Sequence, residues 1–162
     1  MSAASGCVGW LGDLETAFTE TAQGALGLDD VQVTDHPDAL AARWQGAYLG
    51  LVGPTGAIQI GLAADEETCQ SLAKRLLGMD PGDEALPAPD MADALCELVN
   101  ILAGAFKGKV RDRAASLQMG LPVFFDGCVQ PTERTAVAIA SVRAGGRSAG
   151  LLLVYPRAAD GA

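Results

Sequence analysis

Residues 46–64 read GAYLGLVGPTGAIQIGLAA, and residues 65–78 continue as DEETCQSLAKRLLG. In the first run, two apolar, β-rich segments flank GPTG. Proline suits a turn position and glycine supplies the backbone angles of a tight reversal, so the run predicts a β-hairpin. The second run predicts a helix. Asp65 is placed to cap it, Glu66 and Glu67 sit at its positive end, and Lys74 and Arg75 sit near its negative end. Gly78 is placed to terminate it.

Working outward, a helix is expected from about Leu11 to Leu26, with Leu14, Phe18, Ala22 and Ala25 on one face. VQVTD (31–35) alternates like a short strand. MDPGDEALPAPD (79–90) is a loop rich in proline, glycine and acid. It reads as a connector rather than a domain boundary, because neither half could bury a core alone. LQMGLPVFFDG (117–127) is extended and broken at Pro122. A second hairpin pairs ERTAVAIASVRA (133–144) with GRSAGLLLVYP (146–156). Antiparallel hairpins with helices alongside indicate an α+β fold, a sheet packed against two or three helices. Residues 1–162 are expected to form one domain, with a core over about 11–156 and a loose tail at 157–162.

Composition narrows the partners. The chain is 49% hydrophobic and 19% charged, with a net charge of −9. That charge disfavours nucleic acid and anionic membrane surfaces. Cys7, Cys69, Cys96 and Cys128 form no C-x-x-C pair. Free thiols in a reducing, cytoplasmic setting are the expectation, with no metal bound. The first residues, MSAASGCVGWLGDLE, lack the basic start and apolar run of a signal peptide. No run of ~18 apolar residues predicts a membrane span.

DALCELVNILAGAFKGKVRDR (93–113) predicts a long helix. Advancing about 100° per residue from Asp93 puts Glu97 at about +40°, Asn100 at about −20°, Gly104 at about +20°, Lys107 at about −40° and Arg111 at about 0°. Met91, Leu95, Leu98, Leu102 and Phe106 gather on the opposite side. The helix is thus expected to be buried over most of its circumference and to show one polar ridge. Glu97 and Asn100, at i and i+3, are neighbours with β-carbons ~5–6 Å apart. Gly104 removes bulk beside them. A simpler reading stands alongside: Glu and Asn are common on any solvated helix face. Asp93 could serve a capping box behind Asp90 as N-cap, and Lys107, Lys109, Arg111 and Arg113 could complement the helix dipole or attract an acidic pocket of a partner.

Other motifs carry less. His36, between Asp35 and Asp38, is the single histidine and reads as a surface-loop residue. Ser and Cys nucleophiles therefore lack a base. AGGRSAG (144–150) lacks G-x-G-x-x-G and is explained by a hairpin turn. Trp10 and Trp44 read as core or interface residues.

DALCELVNILAGAFK resembles the D/S-x-x-x-E-x-x-N signature of the CheC/CheX/FliY phosphatases of bacterial chemotaxis, and Ala103-Gly104 is similar to the A-G that often follows it. YLGLVGPTGAIQIGLAADEETCQSLAKRLLGM and LQMGLPVFFDG extend the resemblance over roughly 46–156. One copy of the signature fits the CheX branch. Ala105 stands where many relatives are polar, and Leu98 and Val99 are unusually apolar flanks. The resemblance implies dephosphorylation of a CheY-type response regulator. Glu97 and Asn100 would be the catalytic pair, Asp93, Gly104 and Lys107 would support it or bind the partner, and Mg²⁺ would be bound by the partner and not by this chain. It also implies a homodimer through sheet edges, with the apolar LLLVY (151–155) as an edge that needs cover. The rival readings are a non-catalytic adaptor of the same fold, binding a response regulator or serving a flagellar switch, and a small-ligand sensing domain.

Overall fold

The computed structural model describes residues 3–37, 43–54, 56–112 and 116–157. The 46–64 run forms strands β2 (Trp44–Gly53) and β3 (Gly56–Ala64), paired antiparallel from Gln45↔Ala64 to Gly53↔Gly56. Gly46 is needed where it stands, because a β-carbon there would lie 2.0 Å from the Leu62 carbonyl oxygen across the pair. Helix α2 (Glu66–Leu76) follows directly. Its N-cap is Asp65, whose carboxylate accepts a 2.7 Å hydrogen bond from the Thr68 amide. Gly78 takes a φ of +69° just past the last turn.

The remaining elements are α1 (Ala3–Leu26), β1 (Gln32–Asp35), α3 (Ala88–Val110), β4 (Gln118–Met119), β5 (Val123–Gly127), β6 (Thr135–Ala144) and β7 (Arg147–Pro156). Gly145 and Gly146, both at positive φ, turn β6 into β7. The sheet has seven strands in the order β1-β6-β7-β3-β2-β4, with β5 also on β2, and every pairing is antiparallel. The two hairpins therefore join through β3 and β7, from Gln59↔Val154 to Ala63↔Gly150. The fold class is α+β, as the sequence implies.

Alternation along the strands explains the layering. Leu49, Leu51, Ile60, Leu62, Leu151 and Leu153 point to one face and form one core with the three helices. On the other face Ala63, Ile139 and Leu152 form a smaller cluster with Trp44, Phe125 and Val129.

Three expectations are corrected. Helix α1 begins at Ala3 rather than near Leu11. Glycines at 6, 9 and 12 weaken the apolar periodicity there, but Trp10 packs edge-on to Phe106 of α3, with ring centroids 6.5 Å apart. LLLVY is not an edge. Strand β7 is paired antiparallel on both sides, to β6 and to β3, and its Leu151, Leu152 and Leu153 are buried on alternate faces. The sheet edges are the four exposed residues of β1 and the short, interrupted β4–β5 pair. The long helix ends at Val110, before the expected Arg113, which lies outside the described residues, as does the tail from 158.

The Thr68 hydrogen bond holds the Asp65 carboxyl below its ordinary value of 3.8. Asp65→Ala should cost about 1 kcal/mol, lowering Tm by about 2–4 °C. Because the folded-state value is depressed, this stabilisation is present above the unfolded-state value and is lost as pH falls through the folded one. Thermal melts of the two proteins should thus differ at pH 7 and converge as pH drops below about 3.8.

Candidate functional site

Helix α3 is positioned from its N-terminus by α2. The Gln70 side chain grips the incoming loop twice: its Nε2 donates to the Leu86 carbonyl at 2.9 Å, and its Oε1 accepts from the Leu86 amide at 2.9 Å. One step along α2, the buried Lys74 ammonium donates to the Asp83 carbonyl at 2.6 Å and the Pro81 carbonyl at 3.5 Å. The helix then starts at Ala88, with Pro87 as N-cap, proline in its first positions and no side-chain capping bond. This corrects the capping expectation. Asp90 lies in the first turn rather than at the cap, and Asp93 is a further turn in, too far along to close a capping box.

Around α3 the burial follows the helical period. Met91, Leu95, Leu98, Leu102 and Phe106 are all at most 3% exposed, packed between the sheet, α1 and α2. Val99, Ala103 and Val110 on one shoulder are also buried. On the opposite meridian Asp93, Glu97, Gly104 and Arg111 are exposed, and Asn100 and Lys107 are half-buried. The structure thus brings all five sequence-derived site residues, Asp93, Glu97, Asn100, Gly104 and Lys107, onto one strip. Their side chains make no hydrogen bond or ion pair with any described residue, so the carboxylate and carboxamide are free to bind something else.

The strip lies outside two grooves among the described residues. A groove of about 290 Å³ on the sheet's other face, by Tyr48, Gln59, Cys128 and Leu152, contains no ridge residue. Nor does one of about 630 Å³ bounded by α2, Pro81 and Arg147. Among the described residues no group of three or more His, Cys, Asp or Glu could hold a metal ion. Cys96 lies beside the ridge, but burial and the charge of Asp93 push its thiol up, and burial pushes Cys69 up to about 12. Neither is a ready thiolate at neutral pH. His36 sits away from the ridge, 2.5 Å from the Glu15 carboxylate, tying the end of β1 to α1.

What this site can do follows from its chemistry. A carboxylate accepts hydrogen bonds and pairs with a cation. A carboxamide donates and accepts at once, so it can orient a water molecule. Both stand on a rigid rod whose other sides are locked in the core. Sequence reasoning missed Gly108, exposed on the ridge's shoulder one turn past Gly104, and missed the Gln70 and Lys74 grips on the loop. The G-x-x-x-G spacing was the available signal for Gly108. The grips depend on side chains meeting across a turn that no periodicity encodes.

The family model described as chemotaxis phosphatase CheX matches residues 46–141. No curated protein sequence matches the chain. Among solved structures, a chemotaxis protein CheX from Desulfovibrio desulfuricans superposes with a TM-score of 0.73 at 14% identity, covering 89% of this chain and 97% of that one. The CheX of Vibrio vulnificus gives 0.71 at 16% identity, over 89% and 97%. A CheX from Borrelia burgdorferi, solved as a complex of CheX, CheY, BeF3 and Mg²⁺, gives 0.70 at 14% identity, over 92% and 98%. At these identities the structural likeness speaks for the fold.

A β-carbon built at Gly104 or at Gly108 meets nothing within 4 Å, so neither glycine is required by the chain's own packing. Gly104→Ala and Gly108→Ala should each stabilise the protein by about 0.5–1 kcal/mol, read as a higher midpoint in urea at unchanged slope. A loss of stability in either variant would mean that the chain itself uses the gap.

Proposed function

The chain belongs to the chemotaxis phosphatase CheX family, and from that membership we propose that it accelerates hydrolysis of the aspartyl phosphate on a CheY-type response regulator, with Glu97 and Asn100 entering the partner's site. The observation that carries this reading is the Glu97–Asn100 pair, which has no partner among the described residues and stands on a helix whose opposite side is buried in the core.

The reaction asks little of a catalyst beyond alignment. Water oxygen attacks phosphorus, the phosphorus–oxygen bond to the aspartyl carboxylate breaks, and the water proton ends on the released phosphate. The leaving group is a carboxylate with an ordinary pKa of about 3.9, so it departs without a general acid. Asn100 Oδ1 accepts a hydrogen bond from the attacking water, while its NH₂ group donates into the partner's site and fixes the amide plane. Glu97 pairs with a cation of the partner and sets the register of docking. Asp93 adds negative charge one turn earlier on the same side, and Gly104 leaves room for the partner's backbone beyond Asn100. Mg²⁺, held by the partner's carboxylates, neutralises charge on the transferring group.

The site is then shared between two proteins, which accounts for an exposed ridge where a self-contained enzyme would have a cleft. A homodimer belongs to the same reading. Its contact falls on the β4–β5 edge, where Leu121 is 87% exposed and Val123 47%. Light scattering at micromolar concentration should give twice the chain mass for the native protein, and a monomer for Leu121→Lys.

Phosphate loss from a phosphorylated CheY-type receiver should be faster with this chain than without it. Asn100→Ala should remove at least about a hundredfold of the acceleration, about 2.7 kcal/mol of barrier, with the melting temperature unchanged. Glu97→Ala should chiefly raise KM. Full activity in the Asn100 variant would end the water-positioning role.

A further inference from the structure

Four of the chain's eleven Lys and Arg residues, Lys107, Lys109, Arg111 and Arg113, fall within seven positions, in a sequence with twenty acids. Complementing the negative end of α3 explains why cations gather there. It does not explain their direction, since a cation at any angle around the last turn serves the dipole equally well. Lys109 points away from the ridge and binds Glu20 of α1. Lys107 and Arg111 instead lie on the meridian of Glu97 and Asn100, with no ion pair or hydrogen bond to any described residue. At the other end the same meridian carries Asp93 and Glu97, with Asp90 close by. The exposed strip therefore runs from negative, through the neutral amide of Asn100, to positive. Gly104 and Gly108 keep its middle low.

We propose that Lys107 and Arg111 are specificity contacts for an acidic flank of the response regulator, beside its phosphoaspartate pocket. At 1.5 Å per residue they lie about 10 Å and about 16 Å along the axis from Asn100. They reach the rim of the partner rather than the phosphate itself. The reversal of sign along the ridge permits one docking direction: turned end for end, the ridge would set its acids against the acidic flank and its cations against the cation that Glu97 meets. Receivers lacking acid at that distance would be poor substrates, so these two residues select among receivers that share the same phosphorylated pocket. Contacts of this kind act through encounter and affinity, and salt screens them.

This inference rests on the Glu97–Asn100 reading, and its test separates the two. Steady-state dephosphorylation of a receiver that the native chain accelerates is measured between 25 and 300 mM NaCl, settings on the order of a Debye length of 20 to 6 Å. The doubly reversed variant Lys107→Glu, Arg111→Glu should raise KM about tenfold at low salt, keep kcat within about twofold, and flatten the salt dependence. Lys107→Gln with Arg111→Gln should fall between. Reversing Arg143, an exposed cation on β6, should change nothing, which separates a local contact from overall charge. Unchanged KM in the double reversal, or an equal effect from Arg143→Glu, overturns the proposal. Asn100→Ala, assayed in parallel, reports on the catalytic reading alone: its loss of turnover is independent of salt.

Discussion

Helix α3 is clamped on three sides, by the sheet beneath it and by α1 and α2 alongside. Everything functional follows from that constraint. Residues such as Leu98, Leu102 and Phe106, at most 1% exposed, fix the helix in rotation as well as in position. Turning it by one residue, about 100°, would drive Leu and Phe side chains into water, and each fully buried side chain of this kind is worth roughly 1.5–3 kcal/mol. The strip facing outward is therefore determined by the residues facing inward. Glu97 and Asn100 have no hydrogen-bond partner among the described residues, and their direction is set by the helix that carries them.

The parts of the fold that are legible in the sequence are those set by short-range periodicity. Strands β2 and β3 alternate around GPTG, and α2 shows its cap, its charged ends and its terminating glycine in fourteen consecutive residues. The polar strip of α3 is legible for the same reason, since Glu97, Asn100 and Gly104 recur at the helical spacing. What is not legible depends on contacts between distant segments. The strand LLLVY is apolar on both faces, and only the pairing of β7 with β3, some ninety positions earlier in the chain, shows it to be interior. The start of α3 misleads because Asp90 and Asp93 look like capping residues. The helix instead begins behind prolines, at a point set by Gln70 and Lys74 of the preceding helix.

The glycines show how one residue type carries opposite information. Gly46 is forced by the close approach of β3, so its presence concerns only the internal structure. Gly104 and Gly108 face open space, where alanine would strengthen the helix. Neither glycine is explained by the element that bears it. The same holds for Lys107 and Arg111, whose direction the helix dipole leaves undetermined. The two meridians of one rod thus differ in kind, apolar where the helix meets the core and charged, amide or glycine where it is exposed.

The double grip of Gln70 on Leu86 makes the loop before α3 and the helix itself unequal as places for length change. Extra residues at 84–85, between the Lys74 hold on Asp83 and the amide clamp on Leu86, bulge into solvent, and the ridge keeps its bearing. One extra residue between Asp93 and Glu97 shifts the phase of everything before it, carrying Asp93 about 100° further around the helix from Glu97. Drift in chain length among descendants of this sequence should therefore collect in the first of these segments and spare the second.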